Sequence, residues 1–187
     1  MEYLKFLKFS LLTTLLTSAV YTQSQVNLSR LTYENISKCY KTDERKVLYE
    51  EVLKGGWPEL VDDENYKNTC AIRMSIALNC SDLSLTKEFS DGNLQDGNGK
   101  YICLKVPTIF KFLEEKLGTP WGMSKNPGQE FSLKDNLPDG KGIVLDTFPE
   151  DASAFGHVDL WNGKECKYNC PELDANDAAT VAFWKLD

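Results

Sequence analysis

The sequence contains a single histidine, His157, among 187 residues. Zinc sites built on histidine typically need two or three imidazoles, so that class of metal site cannot form here. A site that combines His157 with cysteines is formally open, but predicted export and the cysteine spacing disfavour it. One imidazole is enough for a pair of nucleophile and base, in which the ring takes a proton from a thiol and returns it to the leaving amine.

Cys70 is the thiol whose position best suits this chemistry. It falls at the predicted start of a helix, where unpaired backbone amides and the helix dipole favour negative charge. His157 begins a predicted strand, on the same face as Asp159. A cysteine on a helix opposite a histidine on a strand is the arrangement of papain-like cysteine hydrolases. The alternatives are a structural half-cystine at Cys70 and a histidine that only satisfies a hydrogen bond on a sheet.

The six cysteines limit which thiols remain free. Cys166 and Cys170 can close on each other in a turn. Cys70 and Cys80 cannot pair across a continuous helix, because ten residues rise roughly 15 Å and bridged Cα atoms lie within about 7 Å. Cys39, Cys80 and Cys103 can then form at most one further disulfide, which we predict between Cys80 and Cys103. A second thiol besides Cys70 then stays free.

Helices precede strands along the chain, which predicts an α+β domain with an antiparallel sheet. Helices are predicted within residues 43–53, 65–80 and 106–117, and the second of them has Asn68 or Thr69 as its cap. The predicted strands cover residues 142–148, 157–161 and 180–186. Residues 83–100 form a long exposed loop whose spacing does not fit a helix-loop-helix calcium site. Residues 121–138 are predicted to be a connection rich in glycine and proline.

The first 24 residues are predicted to be a signal peptide, because two lysines precede a leucine-rich apolar stretch over residues 9–20. That stretch is too short to span a bilayer as a mature helix, so we expect a secreted, extracellular protein without a membrane segment. Residues 25–187 then form one domain. The net charge of −7 counts against a nucleic-acid partner, since phosphate binding needs clustered basic residues.

Three sequence tracts together resemble a known family. NTCAIRMSIALN around Cys70, GHVDLWNG around His157 and the nearby CKYNC are similar to family four of the type VI secretion amidase effectors. These bacterial toxins of the papain-like NlpC peptidase superfamily hydrolyse peptidoglycan stem peptides. The resemblance runs from about Tyr49 to Asp187 and includes GIVLDTF. It implies a papain-like NlpC-type fold, with N-terminal helices packed on a small antiparallel sheet.

The resemblance also implies the reaction and the roles of its residues. Cys70 would be the nucleophile and His157 the general base in hydrolysis of the amide between γ-D-glutamate and meso-diaminopimelate, through a thioester. In the family an aspartate between the two cysteines of the CxxxC turn orients the histidine. This chain has no aspartate there, which leaves Asn169, in the turn, and Asp159, on the strand, as candidates for that role.

A signal peptide sets this chain apart from effectors that a bacterial apparatus injects. It suggests a gene acquired by a eukaryote, whose product serves as an antibacterial defence factor. We expect the protein to act on bacterial peptidoglycan as a monomer and without a cofactor. The alternatives are a cysteine peptidase or acyl transferase acting on proteins, and a non-catalytic protein that binds the wall. Arg73 can face either the substrate groove or solvent, and we expect solvent. We expect Trp57, Trp121 and Trp161 to pack in the core rather than to line the substrate groove.

Overall fold

A computed structural model describes residues 31–81, 83–147, 156–170 and 179–186. The predicted signal peptide lies outside the described residues. The helices are α1 (Tyr33–Cys39), α2 (Arg45–Val47, continued by a π-helix over Leu48–Leu53), α3 (Cys70–Cys80), α4 (Val106–Leu117) and α5 (Leu133–Asn136). The strands are β1 (Trp121–Lys125), β2 (Lys141–Thr147), β3 (His157–Trp161) and β4 (Ala179–Leu186).

The four strands form one antiparallel sheet in the order β1-β4-β2-β3. One face carries alternate apolar residues that join the main core with α1, α3 and α4. These residues are Ile143, Leu145, Val158, Leu160, Ala182, Trp184 and Leu186. The other face carries a smaller cluster of Val144, Trp161, Val181 and Phe183 under Leu133 of α5. The α+β prediction, with helices packed on a small antiparallel sheet, is confirmed.

Helix α4 has the bounds that the sequence predicts. Its buried residues Val106, Ile109, Phe112 and Leu113 recur at helical spacing and face the main core. A proline lies in the first turn, where its missing N–H costs nothing. The helix ends before Gly118, which takes a φ of 83°, a conformation that glycine adopts readily.

Helix α3 begins where the predicted cap at Asn68 or Thr69 places it, but it is more deeply buried than predicted. A separate turn of 3-10 helix covers Glu64–Tyr66, so α3 begins at Cys70 with Thr69 as the N-cap residue. Nearly every side of α3 is covered: eight of its residues are buried, whereas the sequence predicts one buried side. Its buried residues are Cys70, Ala71, Ile72, Arg73, Met74, Ser75, Ala77 and Leu78. Cys70 therefore lies at the start of a helix that is buried in the main core.

Helices α1 and α5 and strand β1 lie where the sequence predicts neither a helix nor a strand. Helix α1 occupies a polar segment in which only Tyr33 and Ile36 are buried. Strand β1 lies in the predicted connection and pairs only with β4, with most of its residues exposed. Within the described part of the chain, no helix is long and apolar enough to cross a membrane.

Candidate active site

Cys70 is the first residue of α3, and its thiol takes part in no disulfide. The side-chain Oδ1 of Asn68 accepts the backbone N–H of Cys70 at 3.2 Å and so defines the start of the helix. The other N–H groups of a first helical turn have no partner within the helix and attract negative charge. The sequence prediction of a free cysteine at a helix N-terminus is confirmed.

His157 is the first residue of β3, the edge strand against which α3 packs. Helix α3 packs against strand β3, and Cys70 lies near enough to His157 for its thiol to raise the pKa of the imidazole. The His157 side chain is 18% exposed, so one side of the ring remains open to solvent. Its Nε2 atom is buried and finds no hydrogen-bond partner in the part of the chain that the structure describes. That nitrogen is directed toward Asp159.

Asp159 is a fully buried carboxylate held by three backbone N–H groups. Its Oδ1 accepts from Leu160 at 2.6 Å, and its Oδ2 accepts from Tyr168 at 3.0 Å and Asn169 at 2.8 Å. The same Oδ2 lies 3.9 Å from Nε2 of His157. This separation is longer than a formed hydrogen bond, as is common for catalytic pairs before substrate binds.

The turn that follows β3 presents those N–H groups to Asp159. A disulfide between Cys166 and Cys170 closes the turn, as the sequence predicts. The backbone N–H of Lys167 donates to the carbonyl of Leu160 at 2.8 Å and docks the turn on β3. The Asn169 side chain is exposed, and this residue meets the centre through its backbone. Of the two sequence candidates, Asp159 is the one whose side chain faces the imidazole.

The surroundings of His157 favour its charged form. Burial by itself lowers the pKa of the ring, but the neighbouring Asp159 and Cys70 side chains and the charges of Cys70 and Asp146 outweigh it. Together they raise the pKa of His157 to about 10. The ring is therefore protonated at neutral pH and can donate a proton to a leaving group.

A second carboxyl group, Asp146 on β2, lies opposite His157 in the strand ladder. It is fully buried, and neither carboxylate oxygen has a hydrogen-bond partner among the described residues. Burial raises the pKa of Asp146 to about 7, while the nearby His157 partly opposes the rise. Gly156 allows this close approach, because a β-carbon there would collide with the Asp146 carbonyl. Sequence reasoning did not single out Asp146, since its meaning depends on strand pairing.

The prediction that Arg73 faces solvent is wrong. Its side chain is fully buried and donates to the carbonyls of Lys41 and Asp43, each at 2.7 Å, and to Thr69 Oγ1 at 3.0 Å. The guanidinium carbon also lies 4.0 Å from the ring centre of Tyr168. The two carbonyl acceptors lie some thirty residues earlier in the chain, beyond the reach of local pattern. Arg73 links α3 both to the segment before α2 and to the turn after β3.

The predicted Cys80–Cys103 disulfide is also wrong, because Cys80 pairs with Cys39 at the end of α1. Helices α1 and α3 pack side by side, which brings their last residues together. Cys103 remains free, and its Sγ lies 3.3 Å from Asp91 Oδ2. Burial and the Asp91 charge raise the pKa of Cys103 to about 12, so this thiol stays protonated.

The remaining features do not form a second centre. Among the described residues, no group of histidine, cysteine or acidic side chains could hold a metal ion. Trp57 and Trp161 are buried core residues, as expected. Trp121 is 37% exposed and lines a cavity of about 520 Å³ together with Pro120 and Lys185, none of which belongs to the Cys70 centre.

Comparisons with known proteins are consistent with this geometry. Residues 66–184 match the family model described as type VI secretion system (T6SS), amidase effector protein 4. None of the curated proteins compared with the chain matches it.

Solved structures share the fold. The Tae4–Tai4 effector–immunity complex from Enterobacter cloacae is 23% identical with a TM-score of 0.69, covering 84% of this chain and 99% of that chain. The corresponding complex from Salmonella Typhimurium is 19% identical, with the same TM-score of 0.69 and the same coverage of 84% and 99%. The effector Tae4 from Enterobacter cloacae is 24% identical with a TM-score of 0.66, covering 84% of this chain and 98% of that chain. The predicted papain-like NlpC-type fold is thereby confirmed.

Proposed function

The chain belongs to the family of type VI secretion system amidase effector protein 4, and from this premise we propose how it cuts bacterial peptidoglycan. The bond cleaved is the amide between γ-D-glutamate and meso-diaminopimelate in the stem peptide. Cys70 is the nucleophile, His157 the general base and acid, and Asp159 the residue that orients the imidazole. The observation that carries this proposal is the convergence of the Cys70 thiol, the His157 ring and the Asp159 carboxylate.

The geometry supports a two-step hydrolysis. In the first step the Cys70 sulfur attacks the carbonyl carbon, and the protonated His157 ring gives its proton to the departing amine of diaminopimelate. This leaves a thioester on Cys70 and a neutral imidazole. In the second step the imidazole takes a proton from water, whose oxygen attacks the thioester. The acid product leaves, and the thiolate and imidazolium are restored.

Asp159 supports this cycle by holding the imidazolium in place. Its three backbone N–H donors keep the carboxylate fixed, and its Oδ2 is the group that Nε2 of His157 faces. Asn169 donates its backbone N–H to Asp159 and does not orient the ring with its side-chain amide. We therefore assign the orienting role to Asp159, on the strand that also bears the histidine.

Mass spectrometry of purified muropeptides before and after treatment tests the assignment, since the mass lost identifies the bond. Wild-type protein is expected to release the fragment cut between glutamate and diaminopimelate. Cys70→Ala should abolish release. Cys103→Ala is the matched control, because Cys103 is the other free, buried cysteine of the described chain and lies outside the centre. Equal turnover by wild type and Cys70→Ala would end the enzyme interpretation.

The two alternatives make different predictions in the same experiment. A cysteine peptidase or acyl transferase acting on proteins would process casein and leave muropeptides intact. A non-catalytic wall-binding protein would bind sacculi equally well as wild type and as Cys70→Ala, with no mass change in either case. Binding and turnover measured in parallel separate these outcomes.

We further propose that residues 1–24 direct secretion and that the mature enzyme acts outside the producing cell as an antibacterial defence factor. Expression of the full sequence in a eukaryotic secretory host, followed by N-terminal sequencing of the medium, tests the cleavage. Two solved relatives are effector–immunity complexes. For this chain we propose a monomer, which light scattering on the purified protein would test, alone and after mixing with an immunity protein of that kind.

A further inference from the structure

Tyr40 places a buried hydroxyl beside the proposed catalytic centre. The residue is 4% exposed, and its hydroxyl oxygen is buried and forms no hydrogen bond with the described residues. Tyr40 belongs to the same buried cluster as Cys70, and the charges of Asp159 and Cys70 both act on its hydroxyl. A buried hydroxyl without a partner destabilises a folded protein, so its retention next to reactive groups calls for a functional explanation.

The chain around Tyr40 is attached to α3 on both sides. Before it, Cys39 forms the disulfide with Cys80. After it, the carbonyls of Lys41 and Asp43 accept hydrogen bonds from the guanidinium of Arg73. The Tyr40 backbone N–H donates to the carbonyl of Ile36 at 3.0 Å, at the end of α1. The phenol is thus held in place by neighbours on either side, which is how a positioning group must be held.

We propose that Tyr40 is a positioning residue of the amidase, whose hydroxyl donates to the Asp159 carboxylate and holds it toward His157 during turnover. The proposal rests on the function proposed above for Cys70 and His157. Tyr40 itself touches neither substrate nor the reacting sulfur in this role. It acts through the carboxylate that orients the imidazole.

The chemistry of the phenol suits this role. Burial, and then the negative charges of Asp159 and Cys70, raise the pKa of Tyr40 well above its usual value, while Arg73 opposes the rise. The hydroxyl therefore keeps its proton and remains a donor. A carboxylate offers about four acceptor positions, of which three are taken by backbone N–H groups. The hydroxyl can stabilise the charge on Asp159 in the step in which His157 loses its proton.

Tyr40→Phe separates a positioning role from a packing role. The variant removes only an oxygen that forms no hydrogen bond, so the free energy of unfolding should be unchanged or higher. The kcat on muropeptides should fall on the order of tenfold with KM little changed, because a hydrogen bond to a charged group is lost in turnover. Tyr49→Phe is the control: its hydroxyl donates to the Tyr66 carbonyl at 2.5 Å, away from the centre. That variant should lose stability and keep its kcat.

Two further measurements show whether Tyr40 acts through Asp159. In an Asp159→Asn background, Tyr40→Phe should lower kcat by much less than in wild type, because coupled residues are not additive. The single histidine gives an unambiguous imidazole signal in NMR, and its neighbours are Asp159, Cys70 and Asp146. Tyr40→Phe should raise the pKa of His157, since Asp159 loses a competing donor, and Asp159→Asn should cancel the effect.

The inference is overturned if His157 titrates identically in wild type and Tyr40→Phe, or if kcat falls equally in both Asp159 backgrounds. If the wild-type protein turns over no muropeptide, the proposed function fails while the titration still decides the role of Tyr40. The two failures are therefore distinguishable.

Discussion

Replacing Arg73 by methionine tests whether a buried guanidinium holds the N-terminal segment onto α3. The side chain is fully buried and donates to Lys41 and Asp43 carbonyls at 2.7 Å each and to Thr69 Oγ1 at 3.0 Å. Methionine keeps much of the apolar stem. It leaves three acceptors without their donor and removes the contact with the Tyr168 ring.

The magnitude follows from those contacts. A buried acceptor that loses its donor costs about 1–3 kcal/mol, and we take about 1 kcal/mol each because water can reach the partly buried carbonyls. The cation–π contact on Tyr168 adds roughly 0.5–1 kcal/mol. Release of the guanidinium from a buried site offsets part of this sum. The free energy of unfolding should fall by about 2–4 kcal/mol, a large share of the roughly 5–15 kcal/mol typical of a domain.

Urea unfolding followed by fluorescence of the four tryptophans measures the loss. Lys46→Met is the control, because it also replaces a cation by methionine but at an exposed position, where changes stay within about 0.5 kcal/mol. Arg73→Lys keeps the charge without the forked geometry and should give an intermediate loss. If Arg73→Met matched Lys46→Met, the account of a buried clamp would be wrong.

Three other changes have defined outcomes. Gly156→Ala should lower the free energy of unfolding by about 1–3 kcal/mol, because φ is +128° and the new β-carbon would meet the Asp146 carbonyl. An unchanged melting temperature would contradict this close approach. In wild type, the free energy of unfolding should decline as pH rises from 3.8 toward about 7, because Asp146 releases its proton at a lower pH in the unfolded state than in the folded state. In Asp146→Asn, the urea midpoint should change less with pH over that range. Joint Cys39→Ala and Cys80→Ala should lower the free energy of unfolding by about 4 kcal/mol on the chain-entropy model, given a separation of 41 residues, as denaturant titration would show.

Local pattern is sufficient where one element determines its own environment. Helix α4 needs only apolar residues at helical spacing, a proline in its first turn and Gly118 beyond its end, all of which the sequence displays. The pairing of Cys70 with His157 is likewise predictable, because a single histidine leaves one choice of base. These features carry the fold class and the first two residues of the proposed centre.

Local pattern fails where distant residues supply the environment. Strand β1 is mostly exposed and pairs on one side only, so it lacks the alternation that marks a half-buried strand. Arg73 looks like a surface residue until the carbonyls of Lys41 and Asp43 are placed beside it. Asp146 and Tyr40 gain meaning only when the sheet register and the packing of α1 are known.

The family match starts at residue 66, yet the links that hold α3 reach back beyond that point. The partner of Cys80 is Cys39, and the acceptors of Arg73 belong to residues 41 and 43. A fragment cut to the matched region would carry an orphan thiol and an uncompensated cation inside its core. The smallest part of the chain that folds on its own therefore includes α1. Truncation from the N-terminus should lower the solubility of the protein before it removes any residue assigned to the reaction.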